Sequence, residues 1–243
     1  MSSTATLAEI EQYVREHNPG TIVGVDEAGR GNWAGPIVAG AAAVSIANWT
    51  PPAGLTDSKL MSSKAGYKRR EAIYEQVIKD DKVVIGIGVV EADEIDQIGI
   101  DAAQAKAQAE AIRATFWRLA YPPFVVVDGV NPPAIEPPEV KKVLMLPKGD
   151  LLVPAISLAS VCAKVTQCRT MIALDIAHPG YNFAQHKGYG TKEHKEALNR
   201  LGPCAIHRRC YRPVAKAAAQ HEEPEPEPAW ETFDDGSDPL ADV

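Results

Sequence analysis

The sequence contains no long hydrophobic segment. None of its apolar runs reaches the roughly 18 residues that a membrane-spanning helix needs, and the N-terminus lacks the basic and apolar regions of a signal peptide. We therefore expect a cytoplasmic protein. With 243 residues, of which 45% are hydrophobic, the chain is long enough to bury the core of one large domain.

Cysteine is also scarce. Four cysteines are too few for a fold held by disulfides, and we expect them to be thiols in a reducing compartment. Cys204, His207 and Cys210 have a spacing found in zinc sites, but the sequence shows no evident fourth ligand and no paired CxxC motifs. The sequence therefore does not favour a zinc site.

Basic residues are absent from residues 221–243, which carry nine of the 32 acidic residues. Residues 1–220 contain 25 Lys and Arg against 23 Asp and Glu, so the body of the chain is compatible with a nucleic-acid partner although the net charge is −7. The Glu-Pro repeats after Gln220 cannot pack a core, and we expect residues 219–243 to form an acidic disordered tail. Three roles fit this tail: recruiting a protein partner, shielding the basic body from nonspecific nucleic acid, or none.

Hydrophobic periodicity predicts an α/β fold with a mixed sheet flanked by helices. The predicted strands cover residues 21–25, 36–46, 82–90, 124–128 and 143–146. The predicted helices cover residues 4–17, 64–79, 91–119, 153–177 and 191–201. We expect the first two strands to pair, and residues 181–190 and 203–213 to be irregular.

The most informative stretch begins with an apolar strand that delivers Asp26 and Glu27 to its end. Burying two neighbouring acids is costly unless a cation neutralises them, so the pair suggests a metal, with a solvated acidic turn as the alternative. Gly29 and Gly31 allow the backbone to approach a ligand closely, and Arg30 offers a fork for phosphate or sugar oxygens. This combination favours a site for a phosphorylated polymer.

A second strand repeats the pattern. Residues 124–127 are apolar throughout, which is typical of a central strand covered on both faces, and the run ends in Asp128 and Gly129. Because strand ends can meet at one edge of a sheet, Asp26 and Asp128 are expected to lie side by side.

Together these motifs resemble those of the type 2 ribonucleases H, endonucleases that cut at ribonucleotides in duplex nucleic acid. The matching stretches, in the family's order, are residues 24–31 with 34–36, 57–59, 127–129, 159–160 with 163–165, 186–194 and 207–209. The resemblance implies a ribonuclease H-like fold with a five-stranded mixed sheet flanked by helices and a helical C-terminal part. It divides the chain into an N-terminal helix (1–18), a catalytic domain (19–218) and the acidic tail (219–243).

The resemblance also implies an activity: hydrolysis of RNA in RNA:DNA hybrids, and cutting on the 5' side of ribonucleotides embedded in duplex DNA, with 3'-hydroxyl and 5'-phosphate products. It assigns Asp26, Glu27 and Asp128 as catalytic ligands of two divalent cations, Mn²⁺ or Mg²⁺. Carboxylates suit such hard cations. Two ions stabilise both the attacking and the departing oxygen, so no protein nucleophile is needed.

Discrimination of RNA from DNA requires a partner for the 2'-hydroxyl group. The resemblance assigns this role to Gly29, Arg30 and Gly31, and it places Tyr189 against the sugar. Candidate phosphate contacts, each with a solvated surface cation as the alternative, are Lys59, Lys164, Lys187 and Arg208.

The main departure from the family lies in the long helix, and Asn32, Trp33 and Leu60 also differ from the usual residues. The family pattern Ala-Lys-Val-x-Arg-Asp carries a fourth acid in the long helix, whereas the corresponding run here ends in Cys168. Sulfur is a soft ligand poorly suited to Mg²⁺, and Asp175 lies roughly 10 Å further along the helix. A second hypothesis is therefore a catalytically impaired protein that binds the junction between RNA and DNA without appreciable turnover. A dinucleotide-binding protein is a third, which the absence of GxGxxG spacing does not favour.

Overall fold

The computed structural model describes residues 3–56, 61, 63–119, 123–136 and 138–221, and a six-stranded sheet forms its centre. The strands are β1 (Ser3–Thr4), β2 (Thr21–Ala28), β3 (Ile37–Ser45), β4 (Val83–Val90), β5 (Phe124–Asp128) and β6 (Lys142–Leu146). Their spatial order is β1-β6-β5-β2-β3-β4. The segment β2-β3-β4 is antiparallel, whereas β1, β6, β5 and β2 run parallel, so the sheet is mixed.

Helices cover both faces of this sheet and form the C-terminal part of the described chain. They are α1 (Leu7–His17), α2 (Lys64–Val77), α3 (Ala92–Ile98), α4 (Ile100–Arg113), α5 (Pro154–Ala177), α6 (Phe183–His186), α7 (Lys192–Leu201) and α8 (Arg212–His221), with 3-10 turns at Phe116–Arg118 and Gly149–Leu151. Thr191 begins α7 as predicted, because its hydroxyl accepts the backbone N–H of His194. Within the described part of the chain, none of these helices has both the length and the apolar character for crossing a membrane.

Two hydrophobic cores lie on opposite faces of the sheet, one under α5 and one under α4. Glycines allow both helices to approach the strands closely. A Cβ added to Gly24 would lie 2.2 Å from the carbonyl carbon of Ala155 in α5, and one added to Gly88 would lie 2.0 Å from the carbonyl oxygen of Ala107 in α4. Residues of β2 and β5 alternate between the two cores, which confirms that β5 is a central strand covered on both faces.

The predicted fold class is confirmed: all five predicted strands form, and β1 adds two residues at the edge of the sheet. The helix predicted over residues 91–119 is divided at Gly99, which has a φ of +81°. The loop predicted over residues 181–190 contains α6. The sequence did not predict α8, which extends to His221; of the predicted tail, residues 222–243 lie outside the described part of the chain.

Candidate active site

Asp26 and Asp128 lie next to each other at the carboxyl edge of the sheet. Strands β2 and β5 are parallel neighbours with Val25 opposite Val127, so the two acids that follow are adjacent, as predicted. The side chain of Asp26 is only 3% exposed. Its carboxylate accepts the backbone N–H of Glu27 at 2.7 Å.

A third carboxylate, that of Asp150, joins this pair, and the sequence analysis did not identify it. The backbone N–H of Gly149 donates to Oδ1 of Asp128 at 2.8 Å, which brings the 3-10 turn after β6 onto the end of β5. Ligand oxygens of Asp26, Asp128 and Asp150 all lie within 4.8 Å of one another. One signal pointed to it: Asp150 follows β6, a third parallel strand, and the carboxyl ends of parallel strands meet at one edge.

The electrostatics of this cluster suit a divalent cation. Burial raises the pKa of Asp26 well above its usual range, and the charges of Glu27 and Asp128 raise it further. No Lys or Arg in the described ranges forms an ion pair with Asp26 or Asp128. Three clustered carboxylates are a donor set that hard cations such as Mg²⁺ and Mn²⁺ prefer.

Glu27 points to the other face of the sheet, because neighbouring residues of a strand alternate. Its carboxylate accepts a 2.9 Å hydrogen bond from Nε2 of Gln108 in α4. Burial raises the pKa of Glu27, and the bond from Gln108 opposes this effect. Among the described residues Glu27 is not part of the three-acid cluster, yet it lines the same groove as Asp26 and Asp128.

The turn after β2 presents its backbone to this groove. A Cβ at Gly31 would meet nothing within 4 Å, so the absence of a side chain leaves the backbone accessible. The guanidinium of Arg30 is held by Asp101 at 2.6 Å and by Gln104, both in α4. Arg30 is therefore oriented by the protein rather than free over the groove.

The groove has a volume of about 920 Å³. Six of the predicted substrate residues line it: Gly29, Arg30, Gly31, Lys164, Lys187 and Tyr189. The ammonium of Lys164 lies 4.9 Å from the ring centroid of Tyr189, which is 44% exposed. Burial lowers the pKa of Lys187. Lys59 lies outside the described residues.

Arg208 occupies a different environment from the one predicted. Its side chain is 0% exposed, so it is not a surface cation available to phosphate. It donates instead to the backbone carbonyls of Gly35 and Arg30, at 2.9 and 3.0 Å. Arg208 therefore supports the turn that carries Gly31 rather than facing the groove directly.

The cysteines are not part of the carboxylate cluster. Cys168 in α5 is 2% exposed and contributes to the groove wall, but within the described residues the three-acid group forms without it. Cys204 lies 3.2 Å from His207, whereas the backbone of Cys210 binds Asp96. Among the described residues, Cys204, His207 and Cys210 do not form a group that could hold a metal ion.

Comparison with known proteins identifies the family of this chain. The family model for ribonuclease HII matches residues 23–214. A ribonuclease HII of Halorhodospira halophila is 45% identical over 197 residues, covering 80% of this chain and 93% of that protein. A ribonuclease HII of Thermus thermophilus is 42% identical over 196 residues, covering 81% and 88%.

The solved structures agree on the fold. The crystal structure of ribonuclease H2 from Pyrococcus horikoshii has a TM-score of 0.61 and 24% sequence identity to this chain, covering 82% of this chain and 98% of that one. Because the family model spans nearly the whole described domain and close relatives align over most of their length, the chain belongs to the ribonuclease HII family and is a metal-dependent endonuclease.

Proposed function

We propose that this chain hydrolyses RNA in RNA:DNA hybrids and cuts on the 5' side of ribonucleotides embedded in duplex DNA, leaving 3'-hydroxyl and 5'-phosphate ends. The observation that carries this proposal is the group of Asp26, Asp128 and Asp150, of which Asp26 and Asp128 line a groove together with Lys164, Lys187 and Tyr189. In a groove of this kind the carboxylates can bind metal cations and the lysines can contact phosphates.

Asp26, Asp128 and Asp150 are the residues that would hold divalent cations, with Glu27 as a further carboxylate on the same groove. Two such ions, when bound, activate water and stabilise the departing oxygen in an in-line displacement. Lys164 and Lys187 orient the phosphate backbone by charge. The accessible backbone at Gly31 and the exposed ring of Tyr189 contact the ribose side of the cleaved bond.

The alternative of an impaired junction-binding protein rested on Cys168 standing in place of a fourth acid. Asp150 weakens that premise, because it adds a carboxylate to those of Asp26 and Asp128, which line the groove together with Glu27. The enzyme is therefore the better-supported function.

A cleavage assay separates the two functions. The substrate is a DNA duplex with one ribonucleotide, tested with Mn²⁺ and with Mg²⁺, and the all-deoxy duplex is the control. We expect cleavage with at least one ion, a 5'-phosphate product, and loss of cleavage in Asp26→Asn and after chelation. Binding without cleavage under both ions would contradict the enzyme and support the impaired protein.

Metal binding has a second readout that needs no turnover. Because the clustered carboxylates repel one another when no cation is present, Mn²⁺ should raise the melting temperature of the wild-type protein. The rise should be smaller in Asp26→Asn. An equal rise in both proteins would remove the assignment of Asp26 as a ligand.

A further inference from the structure

Hydrogen bonds hold the segment 206–211 against the turn that follows β2. Two carbonyl groups of the turn accept hydrogen bonds from the guanidinium of Arg208, that of Arg30 at 3.0 Å and that of Gly35 at 2.9 Å. The hydroxyl of Tyr211 donates to the same Arg30 carbonyl at 2.5 Å. Backbone hydrogen bonds join the two segments further, including one from the N–H of Arg208 to the carbonyl of Trp33 at 2.8 Å.

The Arg30 carbonyl, which accepts two hydrogen bonds, controls the orientation of the N–H of Gly31. This carbonyl and the N–H of Gly31 belong to one planar trans peptide unit, in which C=O and N–H point in opposite directions. Donors on Arg208 and Tyr211 hold the carbonyl, so the N–H of Gly31 points away from both. That N–H has no hydrogen-bond partner among the described residues, and Gly31 lines the groove that contains the acids.

The arrangement is costly for the fold alone. Arg208 is 0% exposed, makes no ion pair with a described residue, and leaves its Nη2 without a hydrogen-bond partner in the described part of the chain. Burying a guanidinium under these conditions is unfavourable compared with packing an apolar side chain of similar volume. The guanidinium of Arg208 contributes instead by orienting the carbonyls of Arg30 and Gly35.

We propose that Arg208 and Tyr211 are positioning residues for ribose discrimination, which aim the N–H of Gly31 at the 2'-hydroxyl of the substrate. The inference rests on the proposed function, in which the backbone of the Gly29–Gly31 turn recognises the ribose. Arg208 and Tyr211 act through the peptide unit that they hold and do not themselves contact the substrate.

Tyr211→Phe tests this inference, because it removes one hydrogen bond to the Arg30 carbonyl and keeps the ring. Tyr181→Phe is the matched control, since the Tyr181 hydroxyl also donates to a backbone carbonyl, that of Gly202 at 2.7 Å, away from the turn. Affinities are measured by fluorescence anisotropy in EDTA, so that no strand is cut, for a duplex with one ribonucleotide and for the same duplex in all-deoxy form.

We expect Tyr211→Phe to reduce the affinity ratio of the ribonucleotide duplex over the deoxy duplex by roughly 3- to 10-fold, the value of one hydrogen bond. Tyr181→Phe should keep the wild-type ratio. Arg208→Lys should reduce the ratio further, and its circular dichroism and melting temperature show whether it is folded. With Mn²⁺, kcat/KM of the Tyr211→Phe variant on the ribonucleotide duplex should fall by at least the same factor, whereas Tyr181→Phe should keep the wild-type value.

Equal wild-type affinity for the two duplexes, or an unchanged ratio in Tyr211→Phe, would overturn the inference. A ratio that falls equally in Tyr181→Phe would do the same, since it would indicate a general effect of losing a hydroxyl. Failure of the proposed function has a different signature, because it appears as absence of cleavage by the wild-type protein with either ion.

Discussion

At the scale of single residues, Asp150 is the acid that the structure adds to the proposed metal site. It is 3% exposed, and its carboxylate shares a site with those of Asp26 and Asp128. The Gly149 amide donates to the Asp128 carboxylate, and the Ser157 hydroxyl donates to the backbone carbonyl of Asp150 at 2.7 Å. The turn that carries Asp150 is therefore joined directly to another acid of the cluster.

Asp150→Asn should lower kcat by roughly 100-fold or more, because it removes a charged oxygen ligand and leaves a neutral one of the same shape. Asp81→Asn, at an exposed acid in the turn before β4, is the control and should retain wild-type activity. Steady-state cleavage of a hybrid duplex measures both variants. An Asp150→Asn enzyme with unchanged kcat would remove Asp150 from the ligand set.

Substitution of Cys168 distinguishes the two functional hypotheses at one position. Because the acid cluster forms without its thiol, Cys168→Ser should stay within about threefold of wild-type activity, as is usual for a small isosteric change. Cys168→Asp should give no gain in activity. A gain of tenfold or more in the Asp variant would instead support the impaired protein.

At the scale of secondary-structure elements, α4 and α5 act on the site from opposite faces of the sheet. Helix α5 carries Lys164 and Cys168 to the groove, whereas α4 supplies Gln108 to Glu27 and Gln104 to Arg30. Gln108 is 0% exposed, so the surrounding packing holds its amide group in this position. A residue far from the groove in sequence thus sets the orientation of a groove acid.

Gln108→Ala should lower kcat by roughly 10- to 100-fold, because Glu27 loses the donor that orients it. Gln97→Ala, at an exposed position of α3, is the control. The Mn²⁺ affinity of each variant, measured by calorimetry, should fall only in Gln108→Ala. Equal kcat values in the two variants would show that the bond from Gln108 is not required.

At the scale of the whole molecule, a cluster of buried aromatic and histidine side chains attaches the C-terminal helices to the sheet. Nε2 of His194 in α7 and Nε2 of His207 share a 3.0 Å hydrogen bond, and both rings pack on Phe183. Nδ1 of His194 also binds the carbonyl of Tyr189, so the cluster supports the loop on the groove. Burial lowers the pKa of His194 to about 4 and that of His207 to about 3.

These shifts predict a loss of stability in acid. The unfolded chain takes up protons on both histidines as the pH falls below about 6.5, whereas the folded protein does not until the pH approaches 3 to 4. The contribution to stability is therefore present above about pH 7 and falls with decreasing pH, by roughly 1 to 2 kcal/mol per histidine at pH 5.

Urea unfolding at pH 7.5 and pH 5.0 measures this effect, with His207→Asn compared against wild type to separate it from other titrating groups. The difference in unfolding free energy between the two pH values should be smaller in His207→Asn. His17→Asn, at an exposed histidine, should behave as wild type. An identical pH dependence in all three proteins would contradict the prediction.

Much of the fold was predictable, because local patterns report local structure. The apolar runs predicted β2, β3, β4, β5 and β6 with errors of up to three residues at their ends. The division of the helix at Gly99 was missed because both flanking segments are helical and a single glycine is tolerated within a helical pattern. Helix α8 was missed although its buried residues Val214, Ala217 and Ala218 have helical spacing, because so short a helix is stable only when it packs against neighbours such as α7.

The sequence by itself determined the family, the strand ends that carry Asp26 and Asp128, and the glycine turn beside them, because these are short contiguous motifs. Only the tertiary structure decided that Asp150 joins the acids, that Glu27 turns towards α4, and that Arg208 is buried. Each of those outcomes depends on contacts between residues distant in the chain and on which face of an element a side chain occupies. Pattern along the chain does not specify either, whereas packing of the helices on the sheet does.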